Sequence, residues 1–344
     1  MHIVEIFLYK SSFNRLGVFG SDSREIEYYN EYSKYSDVSI IDYDTSDLEE
    51  KFEVISKPIN FDNFKWSIDK NNIVSDKLKK GVDIIRTKQL FGSWLGLILS
   101  KKTNSKLVIR MGYSYAQSKY YEGVLGKLLF IPLRFLELYI VKKSDGIIYG
   151  SEYLQDIFKK TNTKSIITRN PISDSFVFQN KNKRKRKYKF IVVGRLIKSK
   201  GSDLIQQIDK VISSGIIIGK NIDNLIISNN ILIEHVKNSE ISNYLSQSQY
   251  YLSLSRTEGS PKAALEAIFS GCIPILSDIP AHRDLINDLG YGYLINNKKD
   301  IVSRLSSNDN IYCPIKHSVF TEKWNMKSVV KQEIKFIKDI CAEY

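Results

Sequence analysis

Residues 250–266, YYLSLSRTEGSPKAALE, contain the pattern around which the rest of the chain can be arranged. The apolar run at 250–254 is typical of a strand that is buried in a parallel sheet. Ser260 is a favourable N-cap, and Pro261 suits the first position of a helix. The stretch therefore predicts a strand, a short turn and a helix that runs from Pro261 to about residue 270.

The predicted turn carries groups that can bind an anionic ligand. The backbone N–H groups of Lys262 and Ala263 would lie in the first helical turn, at the positive end of the helix dipole. Glu258 would lie at the carboxyl end of the strand, where open α/β sheets bind ligands, with Glu266 about two turns further on. This spacing suits a ligand with phosphates at one end and hydroxyls at the other. A surface loop followed by an ordinary helix would explain it equally well.

A second stretch, residues 188–201, reads YKFIVVGRLIKSKG and has the same form of strand followed by turn. Gly194 allows a tight turn of the backbone. Arg195 and Lys200 would then lie at the carboxyl end of a strand, where two cations can hold a diphosphate. Solvated basic residues in a loop are the simpler interpretation of this stretch alone.

Together the two stretches resemble glycosyltransferase family 4, the retaining group 1 glycosyltransferases. That family has a G-R-L-x-x-x-K-G turn, matched here by residues 194–201, and an E-G-x-P-x-x-x-x-E-A motif, matched by residues 258–267. The resemblance also covers residues 170–173 and 271–275, and it extends over most of the second half of the chain but only weakly over the first half. The resemblance implies an α/β fold of GT-B architecture, with two doubly wound Rossmann-like domains facing each other across a cleft.

The resemblance also implies roles for individual residues. Arg195, Lys200 and the amides of Lys262 and Ala263 would stabilise the charge that builds up on the leaving nucleoside diphosphate. Glu258 would hydrogen-bond hydroxyls of the transferred sugar, and Glu266 would bind the ribose. The predicted catalytic residues are Glu258, Arg195 and Lys200. The predicted donor-binding residues are Gly194, Arg195, Lys200, His235, Glu258, Gly259, Ser260, Lys262, Ala263 and Glu266.

An acceptor-side cleft is predicted in the first half of the chain, again by resemblance. The loop at residues 10–23 contains Gly17 and Gly20 and would line the cleft, unless it is only a turn. Many family members place a histidine near the end of a later strand, where this chain has Arg110 and Tyr113. Either residue could replace that polar contact, although a structural salt bridge is the simpler account of Arg110.

The chain of 344 residues favours two domains. We expect an acceptor-side Rossmann-like domain at 1–174, a basic linker at 175–187 and a donor domain at 188–322. The last segment, 323–344, contains a helical pattern that by resemblance packs back on the first domain.

The composition indicates the charge of the protein's partners and its cellular location. Its formal net charge of +13 and the basic run at 181–187 favour anionic partners, although an AT-rich genome would also raise the lysine content. Three cysteines without pairing or metal spacing indicate a reducing compartment. No transmembrane helix or signal peptide is expected. We therefore expect a cytoplasmic location, either free or peripheral on the inner face of the cell membrane. The apolar segment 122–143 would be either a buried core helix or a membrane-surface helix.

These observations favour a retaining, metal-independent glycosyltransferase. It would move a sugar from a UDP- or GDP-sugar to a glycan or polyprenyl-linked acceptor, in bacterial surface polysaccharide assembly, with no cofactor. The alternatives are a GT-B sugar-nucleotide epimerase, a phosphorylase, or a non-catalytic protein that binds anionic ligands or nucleic acid. Nucleic acid is the less favoured partner because no recognised binding motif is present.

Overall fold

A computed structural model describes residues 1–7, 11–18, 22–44, 50–57, 62–68, 78, 81–173, 176, 186–307, 320 and 322–342. The chain divides into two compact units. The first contains residues 1–117, 128–171 and 326–344, and the second contains residues 118–127 and 172–325. The predicted domain limits remain predictions, because residues 177–185 and 308–319 lie outside the described part of the chain.

The first unit is built on a parallel sheet of seven strands. Its spatial order is β3-β2-β1-β4-β5-β6-β7, so the chain reverses its direction of travel across the sheet between β1 and β4. Most residues of the central strands are buried on both faces, which explains their isoleucine- and valine-rich sequences. The strands are β1 His2–Ile6, β2 Asp37–Ile41, β3 Glu53–Ile55, β4 Ile84–Lys88, β5 Lys106–Met111, β6 Gly146–Tyr149 and β7 Ser165–Ile167.

The second unit contains a parallel sheet of six strands. Its order is β10-β9-β8-β11-β12-β13, and here the reversal falls between β8 and β11. Such a reversal leaves a crevice at the carboxyl ends of the two strands, because their connections leave in opposite directions. The strands are β8 Tyr188–Val193, β9 Gly215–Ile218, β10 Ile231–Ile233, β11 Ser248–Ser253, β12 Ile273–Ser277 and β13 Tyr293–Ile295.

Helices connect the strands of both sheets. No helix in the described ranges combines the length and apolarity needed to cross a membrane. The helices are α1 Phe13–Val18, α2 Asp22–Tyr32, α3 Asn63–Ile68, α4 Trp94–Thr103, α5 Tyr115–Tyr120, α6 Val124–Lys143, α7 Glu152–Phe158, α8 Ser202–Asp209, α9 Asn238–Ser246, α10 Lys262–Phe269, α11 Pro280–Leu289, α12 Lys298–Ser306 and α13 Met326–Cys341.

The last helix, α13, belongs to the first unit, and its apolar face packs in the core of that unit. A Cβ atom at Gly146 would lie 2.1 Å from Ile340 Cδ1, so β6 approaches α13 as closely as a glycine allows. Glu333 of α13 is completely buried and pairs with Arg86 and Arg110. Both apolar packing and buried charge therefore hold α13 against the first sheet.

The structure confirms the predicted α/β class and the two doubly wound parallel sheets, and it corrects several local predictions. Helix α10 begins at Lys262, and its N-cap is Pro261, whose carbonyl accepts the N–H of Leu265 at 3.2 Å. The prediction of Ser260 as the N-cap was therefore wrong. The apolar stretch at 225–227 does not form a strand, because the side chain of Asn221 hydrogen-bonds the N–H and the carbonyl of Leu225.

Two further predictions concern segments of the first half. The expected loop around Gly17 contains helix α1, in which Gly17 is an exposed residue. The apolar segment at 122–143 forms helix α6 as expected, with Pro132 inside it. Its interpretation as a buried core helix was wrong, because most of its large apolar side chains between Val124 and Tyr139 are exposed, although Ile140 and Val141 near its end are buried.

Candidate functional site

The candidate site lies at the carboxyl ends of β8 and β11, where the second sheet reverses. Tyr250 and Tyr251 of β11 lie beside Phe190 and Ile191 of β8. Because the two strands are parallel, the turns that follow them emerge at the same edge of the sheet. The two motifs that were separate in the sequence therefore meet at this edge.

The turn after β8 depends on closely packed backbone. Gly194 has a φ of +147°, and a Cβ atom at Gly219 would lie 2.0 Å from the Gly194 carbonyl oxygen. Arg195 follows and is exposed. Residues Lys198–Lys200 form a 3-10 turn, which is closed by a 2.8 Å hydrogen bond from the Lys200 N–H to the Ile197 carbonyl. The turn therefore holds Lys200 at the mouth of the crevice.

Lys200 pairs directly with Glu258. Its Nζ donates to Glu258 Oε1 at 2.5 Å, and the Ser255 hydroxyl donates to the same oxygen at 2.7 Å. Burial alone would raise the pKa of Glu258. The charges of Lys200 and His282 and the two hydrogen bonds outweigh this effect, so the pKa lies below its usual value. Glu258 is therefore an ionised acceptor at neutral pH.

Arg256 holds the two turns together. Its guanidinium makes a bidentate contact with Asp203, at 2.8 and 2.7 Å, and also donates to the Lys198 carbonyl. Its backbone N–H donates to the Ser199 carbonyl at 2.9 Å. Hydrogen bonds from Arg256, opposed in part by burial, lower the pKa of Asp203, so this pair remains charged. Sequence patterns assigned no role to Arg256, although this residue lies only three positions after the end of β11.

The start of α10 forms the third side of the site. Lys262 and Ala263 occupy its first two positions, where backbone N–H groups point toward the N-terminal end of the helix. Gly259 is buried, whereas Ser260 is partly exposed. Glu266 is buried within the helix, one side of which faces β11. Burial, followed by the charges of Glu258 and Glu266, raises the pKa of Tyr251, so both carboxylates act on the same phenol.

His282, to which sequence reasoning assigned no chemistry, belongs to this site. It lies at the start of α11, after β12, and is completely buried. Its Nδ1 donates to the Ser277 carbonyl at 2.8 Å, and the Ser277 hydroxyl donates to the Ser255 carbonyl at 2.5 Å. Its Nε2 has no hydrogen-bond partner within the described ranges. Burial lowers the pKa of His282, so the imidazole is neutral near pH 7.

The structure places His235 elsewhere along the same sheet. It is exposed and follows β10, the edge strand, which is separated from β8 by β9. The adjacent Glu234 accepts a hydrogen bond from the Asn221 N–H at 3.2 Å. His235 therefore does not contact the Lys200–Glu258 pair, and base contact remains a prediction.

Of the residues predicted for the acceptor side, the described ones lie in the first unit. Gly20 lies outside the described residues, and Gly17 lies in α1. Arg110 is buried, with its Nε 3.0 Å from Glu333 Oε1 and one terminal nitrogen 3.1 Å from Asn170 Oδ1. This contact is the structural salt bridge that was the simpler account of Arg110.

Tyr113 occupies a different environment at the carboxyl end of β5. It is partly exposed, and its N–H donates to Gln89 Oε1 at 3.2 Å, while Gly112 donates to the same oxygen at 2.7 Å. Gln89 follows β4 and has a φ of +76°, which is uncommon for a residue other than glycine. Its side chain thus fixes the turn that carries Tyr113. Sequence reasoning missed Gln89 because a glutamine after a strand has no recognisable signature.

Comparisons with known proteins agree with this geometry. Residues 173–307 match the model of the family described as "Glycosyl transferases group 1". A short segment is 46% identical over 55 residues to the GDP-mannose:cellobiosyl-diphosphopolyprenol alpha-mannosyltransferase of Xanthomonas oryzae pv. oryzae. That segment covers 16% of this chain and 14% of the relative. The family-model match therefore lies in the unit that contains the candidate site.

Solved structures resemble the whole chain. Sucrose-phosphate synthase from Thermosynechococcus elongatus has a TM-score of 0.79 at 13% identity, with 100% of both chains covered. HepE of Anabaena, solved in complex with UDP, has a TM-score of 0.69 at 10% identity, covering 98% of this chain and 100% of the other. The fold of this chain is accordingly that of the GT-B glycosyltransferases.

Proposed function

We propose that the protein is a retaining glycosyltransferase that uses a nucleotide-activated sugar. The observation that carries this proposal is the contact of Lys200 with Glu258 beside the first turn of α10, at the reversal point of the second sheet. A diphosphate needs positive charge, and a sugar needs oriented hydrogen-bond acceptors. Positive charge and hydrogen-bond acceptors lie together at this edge of the sheet. This arrangement favours a ligand that contains both a diphosphate and a sugar.

In this proposal, departure of the nucleoside diphosphate is assisted by the protein alone. Negative charge builds up on the phosphate oxygens as the bond to the sugar breaks. Lys200, Arg195 and the amides at the start of α10 would stabilise that charge. These groups supply the positive charge without a metal ion. The phosphate that leaves would accept the proton of the attacking hydroxyl on the same face of the sugar, so no separate base is required.

Glu258 would bind the transferred sugar. Its lowered pKa keeps it ionised, and an ionised carboxylate makes stronger hydrogen bonds to hydroxyl groups than a neutral acid does. Lys200 contacts this carboxylate and would contact the diphosphate as well, so one cation would link the two ends of the donor. Glu266, buried in α10, would bind the ribose.

The donor and acceptor are proposed by chemical class. The name of the Xanthomonas relative specifies GDP-mannose and a diphosphopolyprenol-linked glycan, and HepE was solved with UDP. We therefore propose a UDP- or GDP-sugar as donor, a glycan or polyprenyl-linked acceptor, and a place in bacterial surface polysaccharide assembly. A polyprenyl-linked acceptor and a net charge of +13 favour work at the cytoplasmic face of the membrane.

The test is transfer by the full chain from a panel of UDP- and GDP-sugars to lipid-linked glycan acceptors, with and without EDTA. We expect a product whose anomeric configuration, measured by NMR, equals that of the donor, and a rate that EDTA leaves unchanged. Inversion of configuration would contradict the retaining mechanism. Thermal stabilisation by nucleic acid but not by nucleoside diphosphates would contradict the proposed function itself.

A further inference from the structure

The outward face of α6 is apolar along nearly its whole length. Six large side chains on this helix are each more than half exposed: Val124, Leu125, Leu128, Ile131, Phe135 and Tyr139. At 100° per residue they fall within an arc of about 120°. Monomeric proteins rarely expose a continuous apolar surface of this kind, and such surfaces mark interaction sites. We call these six side chains the α6 face.

The inward side of α6 combines apolar and polar groups, since Ile140 and Val141 are buried in the core of the first unit and Glu137 is buried as well. Glu137 is buried and accepts hydrogen bonds from the Ser114 hydroxyl at 2.9 Å and the Ala116 N–H at 3.1 Å. Arg134 pairs with Glu137 at 3.2 Å and lies over the Phe158 ring at 5.0 Å. In an ordinary surface helix the charged side chains point to water. In the middle of α6, by contrast, Glu137 is buried and Arg134 half-buried while large apolar side chains face outward, so the outer side of the helix is suited to an apolar environment.

The exposed charged side chains of α6 itself are all lysines. Glu137 is the helix's only carboxylate, and it is buried. Lys127, Lys142 and Lys143 are exposed, so the helix presents apolar surface and positive charge together. Long lysine side chains can extend past an apolar surface and keep their ammonium groups at a charged boundary.

We propose that the α6 face docks the protein on an anionic lipid bilayer, with the helix lying in the plane of the interface. The apolar side chains would enter the boundary between headgroups and acyl chains, and the three lysines would contact phosphate groups. The stripe of residues 124–139 is about 24 Å long at 1.5 Å per residue. The α6 face gives a location for the membrane contact that is part of the proposed function. The docking inference depends on that function only for the identity of the acceptor.

Charge complementarity selects a bilayer over a second copy of the chain. A symmetric contact through two α6 faces would bring the lysines of both copies together. No exposed carboxylate on α6 would compensate that repulsion. Anionic headgroups supply the missing negative charge in the right place.

The test is co-sedimentation of the full chain with phosphatidylcholine vesicles that contain phosphatidylglycerol, against pure phosphatidylcholine. Wild-type protein should bind the anionic vesicles and release as salt is raised. The double variant Leu128→Ser, Phe135→Ser should bind at least about tenfold more weakly, because two side chains no longer enter the interface. The matched control is Ile226→Ser, which removes an equally exposed apolar side chain away from α6 and should bind as wild type does.

A second measurement does not depend on loss of binding. Tryptophan fluorescence of Phe135→Trp should shift to the blue on anionic vesicles and be quenched by brominated lipid, relative to unsubstituted protein. Wild-type binding by the double variant, or no change in the Phe135→Trp signal, would overturn the proposal. A dimer in solution that the double substitution dissociates would instead assign the face to a second copy. Affinity for UDP and GDP, measured in parallel, tests the proposed function independently.

Discussion

Lys200 Nζ lies 2.5 Å from Glu258 Oε1, although the two residues are 58 positions apart in the chain. Each residue follows a strand on one side of the point where the second sheet reverses. The pair therefore joins a cation suited to phosphate with a carboxylate suited to hydroxyl groups. The hydrogen bond from Ser255 and the contacts of Arg256 hold it in place.

Lys200→Ala should lose most of the transfer activity. A charge contact that stabilises the leaving diphosphate is worth roughly 2–4 kcal/mol in the transition state, or about 30- to 1,000-fold in rate. The measurement is kcat/KM for the proposed donor, in a variant shown by circular dichroism to be folded. Lys198→Ala, in the same turn, is the matched control and should remain close to wild type. Equal loss in both variants would point to the turn as a whole, not to Lys200.

The two carboxylates should affect different kinetic parameters. Only the sugar gains charge at its anomeric carbon during the reaction, whereas the ribose is unchanged. Interactions that strengthen in the transition state appear in kcat, and uniform binding appears in the affinity. Glu258→Gln should therefore lower kcat, by about tenfold or more. Glu266→Gln should weaken the binding of donor and free nucleoside diphosphate alike, by about 10- to 100-fold.

Calorimetric titration of free UDP and GDP separates the two carboxylate variants, because neither ligand contains the sugar. Glu266→Gln should lose affinity for the preferred nucleotide, and Glu258→Gln should keep it. If Glu258→Gln loses as much affinity as Glu266→Gln, the proposed division of roles is wrong. If neither variant changes binding or turnover, the glycosyltransferase proposal is wrong as well.

Arg256→Lys should impair activity without unfolding the protein. Lysine keeps the charge but cannot make the bidentate contact with Asp203, so the backbone hydrogen bond to Ser199 is left without the guanidinium contacts that support the Lys198–Lys200 turn. We expect kcat to fall several-fold, with a small change in thermal stability because the pair is partly exposed. The control is Arg283→Lys, which alters a comparable bidentate pair with Asp278 that, among the contacts of the described residues, makes no hydrogen bond to the Lys198–Lys200 turn. A wild-type kcat for Arg256→Lys would show that the contact does not position Lys200.

Acid should destabilise the first unit through Glu333. Burial would raise the pKa of this carboxyl, but Arg110, Arg86 and hydrogen bonds from two tyrosines lower it to about 2 from 4.5. A carboxyl with a depressed pKa stabilises the folded state above its unfolded pKa, and this contribution is lost as the pH falls. The difference between the pKa values of Glu333 in the unfolded and folded states corresponds to about 3 kcal/mol of unfolding free energy. This stabilisation is lost as the pH falls from roughly 4.5 to 2.

The measurement for Glu333 is the urea midpoint at several pH values, for wild type and Glu333→Gln. The variant should be less stable at pH 7 by roughly 3–5 kcal/mol, because Arg86 and Arg110 lose a buried partner. It should also lose less stability between pH 4.5 and 3 than wild type does. Asp156→Asn, which changes an exposed carboxylate, is the control and should follow the wild-type profile. Parallel pH profiles for Glu333→Gln and wild type would contradict this role.

Much of the fold and part of the site could be predicted because their signals are local. Apolar runs followed by glycine or polar turns identified β8 and β11, and the motifs placed Lys200 and Glu258 at the ends of these strands. Helix α10 differs from its prediction by a single residue at its start, since Pro261 adopts a non-helical ψ. His282 and Gln89 were missed because their surroundings come from neighbouring strands that are distant in sequence.

Helix α6 shows where sequence patterns are insufficient. Apolar residues occur on nearly all sides of this helix, so periodicity could not say which side faces the core. The structure buries Glu137, half-buries Arg134 and exposes Leu128 and Phe135. That outcome depends on hydrogen-bond partners at Ser114 and Ala116, which no pattern within the helix reveals.

The sequence by itself determined the α/β class, the alternation of strands and helices, and the residues at the ends of β8 and β11. These properties follow from side-chain periodicity and turn chemistry, which act over a few residues. Only the tertiary structure decided that Lys200 meets Glu258, that Glu333 meets Arg86 across 247 positions, and that the α6 face points outward. The physical reason is that hydrogen bonds, ion pairs and burial depend on distances in space, which are set by the order of strands in each sheet.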